Sequence, residues 1–232
     1  MLQAPFVLPY SSNKPSTMFD TNIRPLIDPA LNKIAHGMDR LGLSPNQVTV
    51  AGFVVGLCAA ALIGLKLFFW AALVLLLSRA LDGLDGALAR VSGKVSDRGA
   101  YLDITLDFIF YSSIPFAFAV AYPEQNALPA AFLIWSFIGT GASFLAYAIM
   151  AEKRERKGVA LPQQPKSFIF LGGLTEGFET IAFLTLMCLV PSWFGAGAWI
   201  FGALAWVTTA TRIAMAWRDF SPQNGPDDWN LE

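Results

Sequence analysis

Asp82, Asp85, Asp103 and Asp107 stand inside or beside long apolar runs, in the stretch RALDGLDGALARVSGKVSDRGAYLDITLD from Arg79 to Asp107. An ionisable side chain in such a setting is a functional-site hypothesis by default. The first two acids are three residues apart and the last two four apart, so in helical segments each pair shares one helix face. Residues 91–98 (VSGKVSDR) are polar, contain glycine and are few enough to make the two helices antiparallel neighbours. The carboxylates then converge on one small volume. Such a cluster cannot stay ionised in a low-dielectric site unless cations neutralise it, and an all-oxygen set suits magnesium or manganese. Gly86, Ala89 and Gly99 leave room beside the acids for a ligand, and Arg90 supplies a forked cation suited to phosphate. The plainer alternative is structural pairing with Arg79, Arg90 and Arg98, but three arginines do not account for four convergent carboxylates.

The order Asp82, two residues, Asp85, Gly86, two residues, Ala89, Arg90, eight residues, Gly99, three residues, Asp103, three residues, Asp107 resembles the signature of the CDP-alcohol phosphatidyltransferases. Agreement at every fixed position with fixed gaps makes this far more specific than a lone DxxD. The segment SPNQVT resembles the family's PNxxT pattern before its first membrane span. The resemblance implies that Asn46 and Thr49, with Gly86, Ala89, Arg90 and Gly99, lie at the nucleotide. It further implies that the four aspartates hold two magnesium or manganese ions, that Asp107 is the catalytic base, and that the protein is a homodimer. A helix cap explains Ser44 and Pro45 without any ligand.

The elements that must position these residues follow from hydropathy. At 55% hydrophobic residues and a positive mean hydropathy of +0.50, the 232-residue chain reads as an all-α integral membrane protein, one compact bundle. The expected architecture is six transmembrane helices plus an N-terminal amphipathic interfacial helix. Residues 1–18 form a polar tail without the features of a signal peptide, 19–43 an amphipathic juxtamembrane segment, 44–220 the six-helix domain and 221–232 a polar C-terminal tail. Within the juxtamembrane segment, Asp28 and Pro29 mark a helix start, Leu31, Ile34, Ala35, Met38 and Leu41 recur at helical spacing, and Gly42 stops the helix. His36 falls near the apolar edge and reads as packing. Ser44, Pro45 and Gln47 resemble a capping box opening the first span, which runs to about Leu65. The others run from about Phe68 to Arg90, Gly99 to Ala121 with a kink at Pro115, Leu128 to Met150, Phe168 to Val190 and Trp193 to Ala214. Cys58 and Cys188 read as small core residues with no disulfide.

Lysines and arginines set the orientation. Lys14, Arg24, Lys33 and Arg40 precede the first span; Lys94 and Arg98 follow the second; Lys153, Arg154, Arg156, Lys157 and Lys166 follow the fourth; Lys66 alone stands opposite. Both termini and the acidic site therefore face the cytoplasm of a bacterial inner membrane. Trp70, Tyr122, Trp193 and Trp199 fit interfacial anchors. The net charge of −1 points to no nucleic-acid partner.

The implied chemistry is transfer of a phosphatidyl or other substituted phosphate group from a CDP-alcohol, such as CDP-diacylglycerol, to an acceptor hydroxyl, with release of CMP. At least one substrate or product is then a lipid, which can enter laterally from the bilayer. Lys166, Glu176 and Glu179, in KSFIFLGGLTEGFET, are candidate acceptor contacts, with pairing of the two acids to Arg212 as the structural alternative. No pattern assigns the acceptor. Two rival classes compete: an intramembrane magnesium-dependent prenyltransferase, whose first motif typically adds a third acid where Ala89 stands, and a proton-coupled transporter with the acids as a relay. The Gly86, Ala89, Arg90 and Gly99 spacing has no role in a relay.

Overall fold

The computed structural model describes the backbone of residues 18–156 and 177–221 and the side chains of 29–156 and 177–221. Among them the chain is entirely helical, in the order α1 (Met18–Arg40), α2 (Pro45–Gly64), α3 (Phe68–Val91), α4 (Asp97–Ala121), α5 (Pro123–Arg156), α6 (Gly177–Leu189), a 3-10 turn (Pro191–Trp193) and α7 (Phe194–Asp219).

Local chemistry sets most of the boundaries. Gly42, at φ +76°, ends α1 by letting the Leu43 N–H reach back to the Met38 carbonyl (3.2 Å). Ser44 then opens α2 with both halves of the expected capping box: its Oγ accepts from the Gln47 N–H (3.4 Å) and the Gln47 side chain accepts from the Ser44 N–H (2.9 Å). The start of α1 differs from the sequence expectation. The helix begins at Met18, so Asp28 and Pro29 lie inside it and not at its N-terminus. Each interior proline costs one ladder hydrogen bond, but Pro25 and Pro29 are four apart, so both losses fall on one face and the opposite face stays continuous. α4 likewise continues through Pro115, which is fully buried.

Among the described residues, four helical stretches are long and apolar enough to cross a membrane: α2, α4, α5 and Pro191–Asp219. α3 has a spanning length of 24 residues, but Arg79, Asp82, Asp85 and Arg90 crowd its second half. The described part of the fifth expected span is the 13-residue α6. The surface is inverted relative to a water-soluble bundle. Leu73, Leu76, Leu77, Ile109, Phe116, Trp135 and Ile138 all point outward, as suits lipid as the solvent. Trp70, Tyr122, Trp193 and Trp199 are exposed, at the end of the bundle away from the acids. Cys188 is buried as expected, whereas Cys58 faces outward, because an apolar run in a membrane helix does not distinguish the core side from the lipid side.

Two apolar clusters hold the bundle. The larger, which reaches from beneath Arg79 toward the far end, centres on Ile63, Leu75, Phe110, Phe118, Leu133, Leu184 and Phe194, with the Phe118 and Phe194 rings stacked at 4.1 Å. The smaller joins Ala35 of α1 and Val48 of α2 to Leu84, Ala87 and Leu88 of α3, and so fixes the half of α3 that carries the acids. α2 packs along both α3 and α4, whereas α3 and α4 do not pack closely along each other. The chain reverses through residues 92–96, and the two acidic helices meet through side chains, Arg79 of α3 bonding Asp107 of α4 at 2.7 Å and lying over the Phe110 ring, while α2 packs along both. The seam is tight because its α2 face is small. The Ser78 hydroxyl donates to the Gly52 carbonyl (2.8 Å), and a Cβ at Gly56 would lie 2.6 Å from the Phe110 ring.

Candidate active site

The acidic site lies between the last turns of α3 and the first turns of α4. The loop joining them is set by Gly93 at φ +66° and by Ser96, whose Oγ accepts from the Gly99 N–H (3.2 Å) and caps α4. This capping starts α4 in the phase that turns Asp103 toward α3. Carboxylate oxygens of Asp82, Asp85 and Asp103 lie within 4.8 Å of one another. Asp85 is 6% exposed, and its Oδ2 is buried with no hydrogen-bond partner. A buried carboxylate oxygen left unpaired beside two other acids is costly in a bare protein. It is the donor set of a hard divalent cation, so the residues fit such an ion.

Asp107, the fourth acid, is not part of that triad. Its Oδ1 accepts from Arg79 Nη1 at 2.7 Å, and the same nitrogen is 3.5 Å from Asp82 Oδ1. The Arg79 side chain is only 7% exposed. Its guanidinium lies 3.8 Å above the Phe110 ring, and Nη2 donates to the Ser78 hydroxyl (3.2 Å). From its sequence context Arg79 reads only as one of several counter-ions. Its place three residues before Asp82, on the same helix face and in an otherwise apolar run, was the available signal.

The expected nucleotide residues fall around this core. Thr49, whose hydroxyl donates to the Pro45 carbonyl (3.1 Å), lies beside the Asp85 carboxyl. Asn46 and Gly99 are in close approach, since a Cβ at Gly99 would be 3.1 Å from Asn46 Oδ1. Asn46 also lines a cavity of about 560 Å³ with Gln47, Val50, Arg98, Tyr101 and Leu102. Arg90 folds back over Gly86, where a Cβ would meet Nη1 at 3.4 Å, and Ala89 is half-buried on the same turn. Of the expected acceptor contacts, Glu179 is half-buried in the first turn of α6, which packs on α3. Lys166 and Glu176 lie outside the described residues. Arg212 donates to the Thr140 carbonyl (3.2 Å).

The chain is similar to proteins of one known family. The family model for CDP-alcohol phosphatidyltransferase matches residues 43–214. The inner membrane protein YnjF of Escherichia coli is 48% identical over 196 residues, covering 84% of this chain and 94% of that protein. A phosphatidylinositol phosphate synthase of Corynebacterium glutamicum is 30% identical over 195 residues, covering 79% and 82%. The crystal structure of the Mycobacterium tuberculosis phosphatidylinositol phosphate synthase with CDP-DAG bound shares the fold, at a TM-score of 0.57 and 20% identity over 82% of this chain and 95% of that one.

Proposed function

Because the chain belongs to the CDP-alcohol phosphatidyltransferase family, we propose that it transfers a phosphatidyl group from CDP-diacylglycerol, or a related CDP-alcohol, to a small polar alcohol at the site between α3 and α4. The observation that carries this reading is the triad of Asp82, Asp85 and Asp103 with its unpaired, buried Asp85 Oδ2. These three side chains hold magnesium or manganese, as two ions in the reading that the family resemblance implies. When bound, the metal offsets the charge of the donor diphosphate and favours departure of CMP.

The chain's own residues do the rest. Asn46, Thr49, Gly86, Ala89 and Gly99 line the nucleotide position, the glycines and the alanine being small enough for close approach, and Arg90 offers its fork to a phosphate. Asp107 takes the proton from the acceptor hydroxyl as that oxygen bonds to the lipid-linked phosphorus and the bond from phosphorus to the CMP oxygen breaks. The family resemblance gives it the base role, and its pairing with Arg79 leaves metal binding to the triad. Glu179, with Lys166 and Glu176, contacts the acceptor.

In the membrane, residues 44–220 form six spans: α2, α3, α4, α5, the segment ending in α6, and α7. The amphipathic α1 lies at the surface, the protein is a homodimer, and the acids and both termini face the cytoplasm. The basic residues Lys94, Arg98, Lys153, Arg154 and Arg156 at the acidic end of the bundle support that orientation.

The test is incubation of the purified protein with CDP-diacylglycerol, magnesium and a panel of polar alcohols, followed by lipid mass analysis and CMP detection. Inositol phosphate belongs in the panel because of the name of the C. glutamicum relative. Metal-dependent CMP release coupled to incorporation of one alcohol is expected. Absence of CMP with every alcohol would overturn the reading, and neither a prenyltransferase nor a proton relay yields CMP.

A further inference from the structure

We propose that Arg79 is a positioning residue for the transfer step: its guanidinium clamps Asp107 in the orientation needed to receive the acceptor proton and holds that carboxylate away from the metal triad. This rests on the reading of Asp107 as base. Arg79 reaches across from α3 to α4, bonding Asp107 Oδ1 at 2.7 Å, while its 3.5 Å approach to Asp82 ties the same group to the edge of the triad. The fork is fixed from behind by the Phe110 ring at 3.8 Å and by the Ser78 hydroxyl, which is itself bonded to Gly52 of α2. Arg79 Nε is buried and has no hydrogen-bond partner. The fork is therefore held through Nη1 and Nη2 alone, Nη1 on Asp107 and Nη2 on Ser78. With Oδ1 engaged and the side chain still 31% exposed, Asp107 remains open to an incoming hydroxyl. The positive charge also disfavours its recruitment by a cation bound at the triad.

The proposal makes two effects run in opposite directions. Removing a cation beside three carboxylates strengthens binding of a divalent ion, whereas loosening the base by about an ångström slows transfer about a hundredfold. Arg79→Gln should therefore lower kcat by that order while the KM for CDP-diacylglycerol stays within about threefold, and Mn²⁺ titrated alone should bind as tightly as in wild type or more tightly. Arg79→Lys returns the charge without the fork, so its Mn²⁺ affinity should return to the wild-type value while kcat stays depressed. The Lys variant, near in size, keeps the test open if the Gln variant fails to fold. Wild-type kcat in Arg79→Gln overturns the proposal. So does a loss of kcat accompanied by weaker Mn²⁺ binding and a lower Tm, which marks a structural role. Asp107→Asn, measured alongside, separates the two levels of inference. If it retains transfer, the base assignment has failed; if it is inactive while Arg79→Gln is normal, only the role of Arg79 has.

Discussion

Asp85→Asn should make the metal-free protein more stable and the metal-loaded protein inactive. The side chain keeps its size but loses its charge at the most buried corner of the triad. Two unit charges separated by the triad's limiting 4.8 Å repel by about 3.5 kcal/mol at an effective dielectric of about 20. Asp85 faces two such neighbours. The exposure of Asp82, at 32%, the adjacent Arg79 and proton uptake by the crowded, metal-free acids relieve much of this, leaving about 1–2 kcal/mol. In a chain of this size that is an increase in Tm of about 2–8 °C in chelator. The new amide can also donate to Asp82 or Asp103, which adds to the gain. The assay is thermal unfolding of the detergent-purified protein in EDTA and in excess Mn²⁺, with CMP release measured on the same samples. Wild type should be stabilised by the ion and the variant should not, so the two unfolding curves cross between conditions. A lower Tm for the variant in EDTA, or a metal-induced shift equal to that of wild type, would refute the account of Asp85 as an unpaired metal-ligating carboxylate.

Asp107→Asn should abolish transfer while leaving CDP-diacylglycerol binding largely intact, measured by donor binding beside turnover; loss of donor binding as severe as in Asp82→Asn would make Asp107 a metal ligand. Glu179→Gln should raise the KM for the acceptor or lower kcat without changing donor affinity, and a fall in Tm with both substrates affected would instead mark a structural partner. Gly56→Ala would place a methyl 2.6 Å from Phe110 and 2.9 Å from Ser78 Oγ; overpacking of this kind costs about 1–3 kcal/mol, so Tm and turnover should fall together, and an unchanged Tm would show that the seam relaxes freely.

What the sequence made legible was what depends on short separations. Asp82 and Asp85 share a face because they are three apart, and the Ser44 box and the Gly42 stop are decided within a few residues, so all could be read directly. The Asp28–Pro29 start was a local signal of the same kind and it failed, because two prolines on one face do not interrupt the other. The relation of α3 to α4 could not be read from the loop between them. Loop length fixes that the chain returns, not which other helix packs along both, and the small residues Gly52 and Gly56 that let α2 do so sit about fifty residues before Asp103. For the same reason the pairing of Arg79 with Asp107, 28 residues away, was hidden even though both residues were in view. Cys58 shows the limit peculiar to membranes, where apolar character marks both the inside and the outside of a helix.

With α2 packed along both acidic helices, part of what holds them carries no charge. Gly52 and Gly56 set how closely Ser78 of α3 and Phe110 of α4 approach α2. The glycine face of α2 thus works as a common bed on which both acid-bearing helices rest, so that a methyl group added there would disturb the site from a helix that carries none of the four aspartates.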